Sequence, residues 1–389
     1  MFYFTRKAYT LVAILAPLLN VYGISDSFNT FTIREVAIIV VFILCGLVSL
    51  EGINQKIDAS VILTTLFLLS IVLSILVNSI GESSGYVLRV IRCMMLYVYV
   101  FFLAQNFFDY EYGLRIYKYL VVFASVVVFA QVISANIFSY PLKGYLDIFP
   151  IRSDNLIHAN MLRRFYSIFE EPGYFGMISS GYFLISIFSN RKEYVTLGLI
   201  AIAGLLTTAT TSIVCLAFVA ILYILFSELF SNSIYENNKW NFKAALVIIC
   251  FIAFYIFVNS TQFDTVLYRL TEESSTQDRF SGYDTFYDVF SNYPILIKLL
   301  GNAMQEYPIS GFAAIIMAYG IFGTIFLLSL MMYLLAKTHY VGKFLLILFL
   351  FLNIGNVEFM GNASTLLCFF GFILTNPPNQ RLLHKYSEQ

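Results

Sequence analysis

Apolar runs long enough to cross a bilayer as helices, roughly 17–25 residues each, recur from end to end of this chain. Nothing else in the sequence constrains the fold as strongly. Backbone buried in hydrocarbon must satisfy its own N–H and C=O groups, and a helix does so within one segment. Of 389 residues, 59% are hydrophobic and 12% charged, against about a quarter charged in an ordinary soluble domain. The expectation is an all-α polytopic membrane protein, a single integral membrane domain over 1–389 with no soluble domain attached.

Candidate spans fall at 8–24, 35–50, 59–78, 86–107, 116–138, 173–189, 194–208, 211–229, 243–259, 309–335, 341–353 and 362–375, about twelve in all. The stretch 194–230 is too long for one crossing, and "TTATTS" (207–212) in its middle is either a tight turn or a broken helix. The last two spans are short and suit partly re-entrant segments. "MFYFTRKAYTLVAILAPLLNVYG" has the shape of a signal peptide but lacks a small-x-small cleavage site, so it reads as a retained first helix. No internal repeat or low-complexity segment is evident.

Short-loop lysines and arginines set the orientation. With the N-terminus inside, Arg6/Lys7, Lys56, Arg115/Lys118, Arg191/Lys192, Lys239/Lys243, Lys337/Lys343 and Arg381/Lys385 all fall on the cytoplasmic side, and the C-terminus ends there too. The short outer loops 78–85 and 353–362 carry no Lys or Arg. Two long polar segments, 139–172 and 260–308, then face outward. Outer cations are mostly arginine: Arg89, Arg92, Arg152, Arg163, Arg164, Arg269 and Arg279. The planar guanidinium fork suits bidentate contact with phosphate or carboxylate. An anionic ligand at the outer leaflet is one reading; lipid headgroups or loop acids are the other.

Several function classes lack support. Formal net charge is zero, which leaves no electrostatic footprint for nucleic acid. Five cysteines, all inside apolar runs, argue against a disulfide framework and read as buried small hydrophobes. Of three histidines only His158 is on the expected outer side, and no spacing suits a metal. No P-loop or dinucleotide fingerprint is present, so no cofactor is expected.

The charged outer segments carry the remaining signal. In "RRFYSIFEEPGYFG" (163–176), Pro172 suits a first helical turn, which makes Glu171 an N-cap or near-cap residue. A carboxylate there gains at most about 1 kcal/mol from the helix dipole. If 163–170 is helical, Arg163 and Glu170 share a face, as do Arg164 and Glu171. Surface pairs contribute only about 0–1 kcal/mol, so ligand contact explains such a cluster better than stability does. In 277–302 a helical reading puts Phe280, Tyr283, Phe286, Tyr287 and Phe290 on one arc, with Ser281, Asp284, Thr285 and Asp288 opposite. This is an interfacial helix, lying on the leaflet or packed over the bundle, with Arg279 at its start.

Those two segments resemble the O-antigen and capsule repeat-unit polymerase family (Wzy type), which shares an arginine followed by Glu-Pro-Gly-aromatic at the end of a large periplasmic loop. "DRFSGYDTF", "YPILIKLLGNAM" and "SGFAAIIMAYGIFGTIFLL" within 278–328 are similar to the family's second loop and following span, and "LLTTATTS" (205–212) to its Ser/Thr-rich turn. The resemblance implies a metal-independent glycosyltransferase of GT-C-like fold in the bacterial inner membrane. Its partners would be donor and acceptor oligosaccharides on undecaprenyl pyrophosphate, membrane lipids and a chain-length regulator in the same membrane.

The expected roles follow. Arg163, Arg164 and Arg279, with Arg89 and Arg92 behind them, would hold pyrophosphate. Glu171, then Glu170, would take the acceptor proton, with a sugar-orienting or arginine-pairing role open for Glu171. Arg279 would also serve the reacting centre, and Tyr166, Tyr174 and Tyr283 would line a sugar groove. An O-antigen ligase is an alternative, weakened because 260–308 lacks the histidine of that family's second loop. A transporter or flippase is another, favouring repeats and mid-membrane charges.

Overall fold

The computed structural model describes residues 1–23, 32–49, 58–78, 84–140, 142–145, 165–189, 193–207, 209–226, 286–302, 311–355 and 364–377. Every regular element among them is a helix, apart from one antiparallel bridge between Gly23 and Thr32. In order these are α1 (Phe2–Leu19), α2 (Ile33–Ser49), α3 (Ala59–Asn78), α4 (Ser84–Val98), a π turn (Tyr99–Leu103), α5 (Ala104–Phe107) and α6 (Tyr110–Ile137). Then come α7 (Pro172–Phe188), α8 (Tyr194–Leu206), α9 (Thr210–Phe226), α10 (Ile295–Leu300), α11 (Gly311–Lys337), α12 (Tyr340–Gly355) and α13 (Ser364–Leu374). Among the described residues four segments, Ala59–Val77, Val90–Phe107, Tyr110–Ile137 and Gly311–Lys337, are long and apolar enough to cross a membrane. The expected span at 243–259 lies outside the described residues.

Several boundaries differ from the sequence reading for local reasons. α1 starts at Phe2 rather than near residue 8, because its charges find partners. The Lys7 ammonium lies 4.7 Å from the Tyr3 ring and 4.5 Å from the Tyr112 ring, and Arg6 donates to the Phe108 carbonyl at 3.2 Å. α6 starts at Tyr110 rather than 116, since Asp109 accepts from the Tyr112 N–H at 3.1 Å as an N-cap. Within the stretch 194–230 the described residues form two helices, α8 and α9.

The chain divides into two units. One takes its described helices from Met1–Leu120 and Arg279–Gln389, the other from Val121–Tyr145 and Asp154–Asp278. In the first unit, helix ends sort into two sets. Arg6, Asp58, Phe108, Tyr110, Tyr333, His339 and Phe372 belong to one, tied by Tyr333–Asp58, Arg6–Phe108 and His339–Phe372 contacts. Asn20, Thr32, Arg34, Arg92 and Ser364 belong to the other. This is the alternation expected of helices that traverse one layer in turn. Ile62, Leu66, Leu69, Leu73 and Leu76 form an exposed apolar stripe along α3, a surface suited to acyl chains.

Two breaks in the first unit have side-chain or backbone compensation. At the π turn, Tyr9 and Tyr99 stack at 4.4 Å and each hydroxyl donates to the other's backbone carbonyl at 2.8 Å. α11 is broken at Gly320 (φ 66°, ψ −176°), and α10 ends at Gly301 (φ 79°) against that break. A Cβ on either glycine would lie 2.3 Å from the other's backbone nitrogen. The Asn302 N–H donates to the Met317 carbonyl at 2.8 Å, and Ser74 Oγ donates to the Gly301 carbonyl at 2.9 Å.

Just before α10, residues 286–292 are helical, and Phe286, Val289, Phe290 and Tyr293 pack on Ala313, Ala314 and Met317 of α11. The segment therefore lies over a helix of the bundle. Tyr287, placed on the apolar arc by the sequence reading, is 73% exposed, and Val289 takes that place at the i+3 position. Phe280, Ser281, Tyr283, Asp284 and Thr285 lie outside the described residues.

In the second unit, α7 packs along α9, and α8 packs against both. The Tyr182 hydroxyl donates to the Glu193 carboxylate, joining α7 to the start of α8.

Gly301→Ala and Gly320→Ala should each destabilise the protein by at least about 1–3 kcal/mol, the cost of a side chain at positive φ, with backbone clash added. Gly46→Ala and Gly198→Ala, where an added methyl meets nothing within 4 Å, should be neutral or mildly stabilising. Melting temperatures in detergent compare the four.

His339 gives a pH dependence. It lies in the turn between α11 and α12; Gly342 N–H donates to Nδ1 at 3.3 Å, so Nε2 carries the proton and donates to the Phe372 carbonyl at 2.9 Å. Burial holds this imidazole below its ordinary value of about 6.5, outweighing the hydrogen bond to Phe372. The unfolded chain then binds the proton more readily, so stability is full above about pH 6.5 and is lost as pH falls through the folded value. Melting temperature should drop between about pH 7 and 5, and His339→Gln should flatten that part of the slope.

Candidate functional site

The Glu-Pro-Gly segment enters α7 through a strap, residues 165–171, that is turn and bend rather than helix. Ser167 has φ 60°, which stops a helix, and Pro172 holds Glu171 extended at φ −138°, ψ 151°. The helix on which the face-sharing of Arg163 with Glu170 and of Arg164 with Glu171 depends is not formed over 165–170, and Arg163 and Arg164 lie outside the described residues. Phe165, Tyr166, Ile168 and Phe169 are buried, whereas Glu170 is half-buried and Glu171 exposed.

Glu171 occupies the N-cap of α7, as the sequence reading expects, but its carboxylate makes no capping hydrogen bond. The cap is backbone only: Tyr174 N–H donates to the Glu171 carbonyl at 3.1 Å.

The start of α7 rests on the break between α8 and α9. Ser212 Oγ donates to the Pro172 carbonyl at 3.2 Å, and a Cβ on Gly176 would lie 2.1 Å from Ser212 Cα. Gly173 faces Thr211. Thr207 closes α8 by donating to the Gly204 carbonyl at 2.7 Å, and its hydroxyl accepts from Ala209 N–H at 3.4 Å. Two motifs some forty residues apart in sequence thus share one place, and two helix N-termini, those of α7 and α9, lie side by side there.

The other face of the strap meets α6. Ser167 N–H donates to Gln131 Oε1 at 2.9 Å, Gln131 Nε2 donates to the Ser167 carbonyl at 3.3 Å, and Ser167 Oγ donates to the Ala124 carbonyl at 2.6 Å. Tyr166 is buried and stacks on Tyr145 at 6.0 Å, and among the described residues its hydroxyl has no hydrogen-bond partner. A buried hydroxyl left so costs about 1–3 kcal/mol, which is more easily understood at a site that receives a polar ligand. Tyr174 is buried in the first turn of α7. Arg163, Arg164, Arg279 and Tyr283 lie outside the described residues, as does the side chain of Arg89.

Arg92 belongs to a cluster in the first unit that the sequence reading did not assemble. Arg34 and Glu35 are fully buried and Arg92 is nearly so. Arg34 grips Glu35 Oε1 through Nε at 2.9 Å and Nη2 at 2.7 Å, and its Nη1 donates to Ser364 Oγ at 3.2 Å. Arg92 Nε lies 2.9 Å from the same oxygen, off the hydrogen-bond direction, as an ion pair; its Nη2 donates to Asn20 Oδ1 at 3.3 Å. Glu35 Oε2 accepts from Thr32 N–H at 2.7 Å and from the Thr32 hydroxyl. The signal was available as T-x-x-E at Thr32–Glu35, a capping box opening an apolar run.

Among the described residues no group of histidine, cysteine and carboxylate side chains is placed to hold a metal. Removing one member of the Arg34–Glu35–Arg92 cluster leaves buried charge uncompensated. Glu35→Ala should cost about 3–5 kcal/mol, whereas replacing all three by apolar residues of similar volume should be near neutral or stabilising. Yield and monodispersity in detergent decide between those outcomes. A scan against protein-family models finds no match for this chain, and a search of curated proteins finds none either.

Proposed function

We propose that this protein is a polysaccharide polymerase that joins oligosaccharide repeat units carried on undecaprenyl pyrophosphate, acting at the outer face of a bacterial inner membrane. The observation that carries the reading is Glu171: an exposed carboxylate at a helix N-terminus, on a strap anchored from both sides, and not spent on capping. The proximity of the Glu-Pro-Gly start to the Thr-rich break adds support, because both segments carry the resemblance to the Wzy-type family.

In the proposed reaction the acceptor's sugar hydroxyl attacks the anomeric carbon of the donor. Its proton passes to Glu171, or to Glu170 beside it, and the bond from the anomeric carbon to the pyrophosphate oxygen breaks. Undecaprenyl pyrophosphate departs with the bonding electrons, and Arg163, Arg164 and Arg279 stabilise the charge that develops on it. Arg89 is a second candidate for the same role. Arg92, already engaged with Glu35 and Asn20, has a supporting place. The Tyr166 hydroxyl is suited to a sugar hydroxyl.

A transporter or flippase is the second reading, favoured by one observation: helix breaks such as that at Gly320 are common where transporters bind cargo. Reconstituted protein given a defined lipid-linked oligosaccharide separates the two. Polymerase activity yields a ladder of longer products, while movement across the bilayer without elongation identifies transport. Transfer only to a lipid A-core acceptor identifies the ligase alternative. Glu171→Gln should lower elongation by about 10²–10⁴-fold, the usual contribution of a general base. Arg164→Ala and Arg279→Ala should abolish the ladder at unchanged protein level, and normal ladders from both remove the pyrophosphate role.

A further inference from the structure

We infer that Gln131 is a positioning residue: its carboxamide clasps both ends of the long polar loop 139–172 and thereby sets where Glu170 and Glu171 stand. The role in catalysis rests on the polymerase reading, whereas the clasp itself does not.

Gln131 lies in the middle of an apolar stretch of α6, "VVVFAQVISA", where an amide side chain is costly unless fully bonded. It is buried, and its bonds run to both ends of the loop. Nε2 donates to the Leu142 carbonyl at 3.3 Å near the loop's beginning. The same nitrogen donates to the Ser167 carbonyl at 3.3 Å near its end, and Oε1 accepts from the Ser167 N–H at 2.9 Å. The carboxamide thus pairs with Ser167 as a neighbouring strand would. It satisfies both backbone groups of a residue that no helix or sheet serves.

Two further features show that this contact is built for one geometry. Ser167 is held at φ 60°, a conformation rare for a residue with a side chain, and its hydroxyl is bonded to the Ala124 carbonyl at 2.6 Å. Gly144 lies so close beneath it that a Cβ would sit 1.5 Å from the Ser167 carbonyl oxygen. Strained backbone of this kind persists only where its surroundings over-determine it. Three residues of strap separate Ser167 from Glu171, and two of them, Ile168 and Phe169, are buried. The position fixed at Ser167 is therefore transmitted to the carboxylates with little slack. Misplacing a catalytic group by about 1 Å can cost on the order of 10²-fold in rate.

The test uses full-length protein in lipid nanodiscs, with Gln131→Leu, Gln131→Glu and Gly144→Ala. Glutamate keeps the acceptor for Ser167 N–H but cannot donate to Ser167 or Leu142. Backbone hydrogen exchange over 165–171 should rise at least tenfold in Gln131→Leu and Gly144→Ala, and less in Gln131→Glu, while α7 and α9 stay protected. In the elongation assay, kcat should fall at least tenfold in Gln131→Leu and Gly144→Ala with KM for the lipid-linked oligosaccharide within about twofold. Unchanged exchange in both variants overturns the clasp. Raised exchange with unchanged kcat overturns the positioning role. If the unaltered protein elongates nothing, the polymerase reading fails by itself, and the exchange result still upholds or overturns the clasp. If Gln131→Leu does not fold, Gln131→Glu and Gly144→Ala decide the matter.

Discussion

A backbone carbonyl or N–H released inside hydrocarbon has no water to turn to, and this protein answers that constraint at each described helix break with a specific partner. The π turn at Tyr99–Leu103 has the Tyr9 hydroxyl. The break at Gly320 lies against α10, with Met317 served by Asn302 and Gly301 by Ser74. The α8–α9 junction has the Thr207 hydroxyl, and the strap before α7 has Gln131. None of these partners is charged, which matters where desolvating an ion is expensive.

Against that background Glu35 and Glu171 differ in exposure. Glu35 is saturated: both oxygens are engaged by Arg34, Arg92 and Thr32, and the whole cluster is sealed from solvent. Such a carboxylate organises helix ends. Glu171 is exposed and leaves the capping of α7 to its own backbone carbonyl. Rigidity around a group that is itself accessible is what a reacting or binding carboxylate needs.

Much of the fold was legible from hydropathy and from end signals. α3 and the start of α7 fall where apolar runs, Pro172 and Glu171 put them, and the Thr-rich interruption divides α8 from α9. The helix on which the pairing of arginine and glutamate across 163–171 is conditional does not form at 165–170, and no local pattern announces that Ser167 adopts positive φ; that conformation comes from tertiary bonds to Gln131 and Ala124. The break in α11 hid within an unbroken apolar run, because its cause is Gly301, nineteen residues earlier in sequence. Gln131 was passed over inside a span, although a lone amide among valines and alanines is itself a signal. Arg34, Glu35 and Arg92 were visible one at a time, but their meeting depends on how α2 and α4 pack.

The pairing of adjacent residues Arg34 and Glu35 also bears on how the chain enters its membrane. Inserting a lone arginine at a helix centre costs about 2.5–3.5 kcal/mol on translocon scales. Here the counter-charge is the next residue, so the start of α2 can partition as a neutral pair as soon as it is synthesised. Arg92 follows more than fifty residues later and finds a carboxylate already in place. The charges of α2 thus have one another from the start, whereas Arg6 and Lys7 of α1 meet Phe108 and Tyr112 only once those residues have been made.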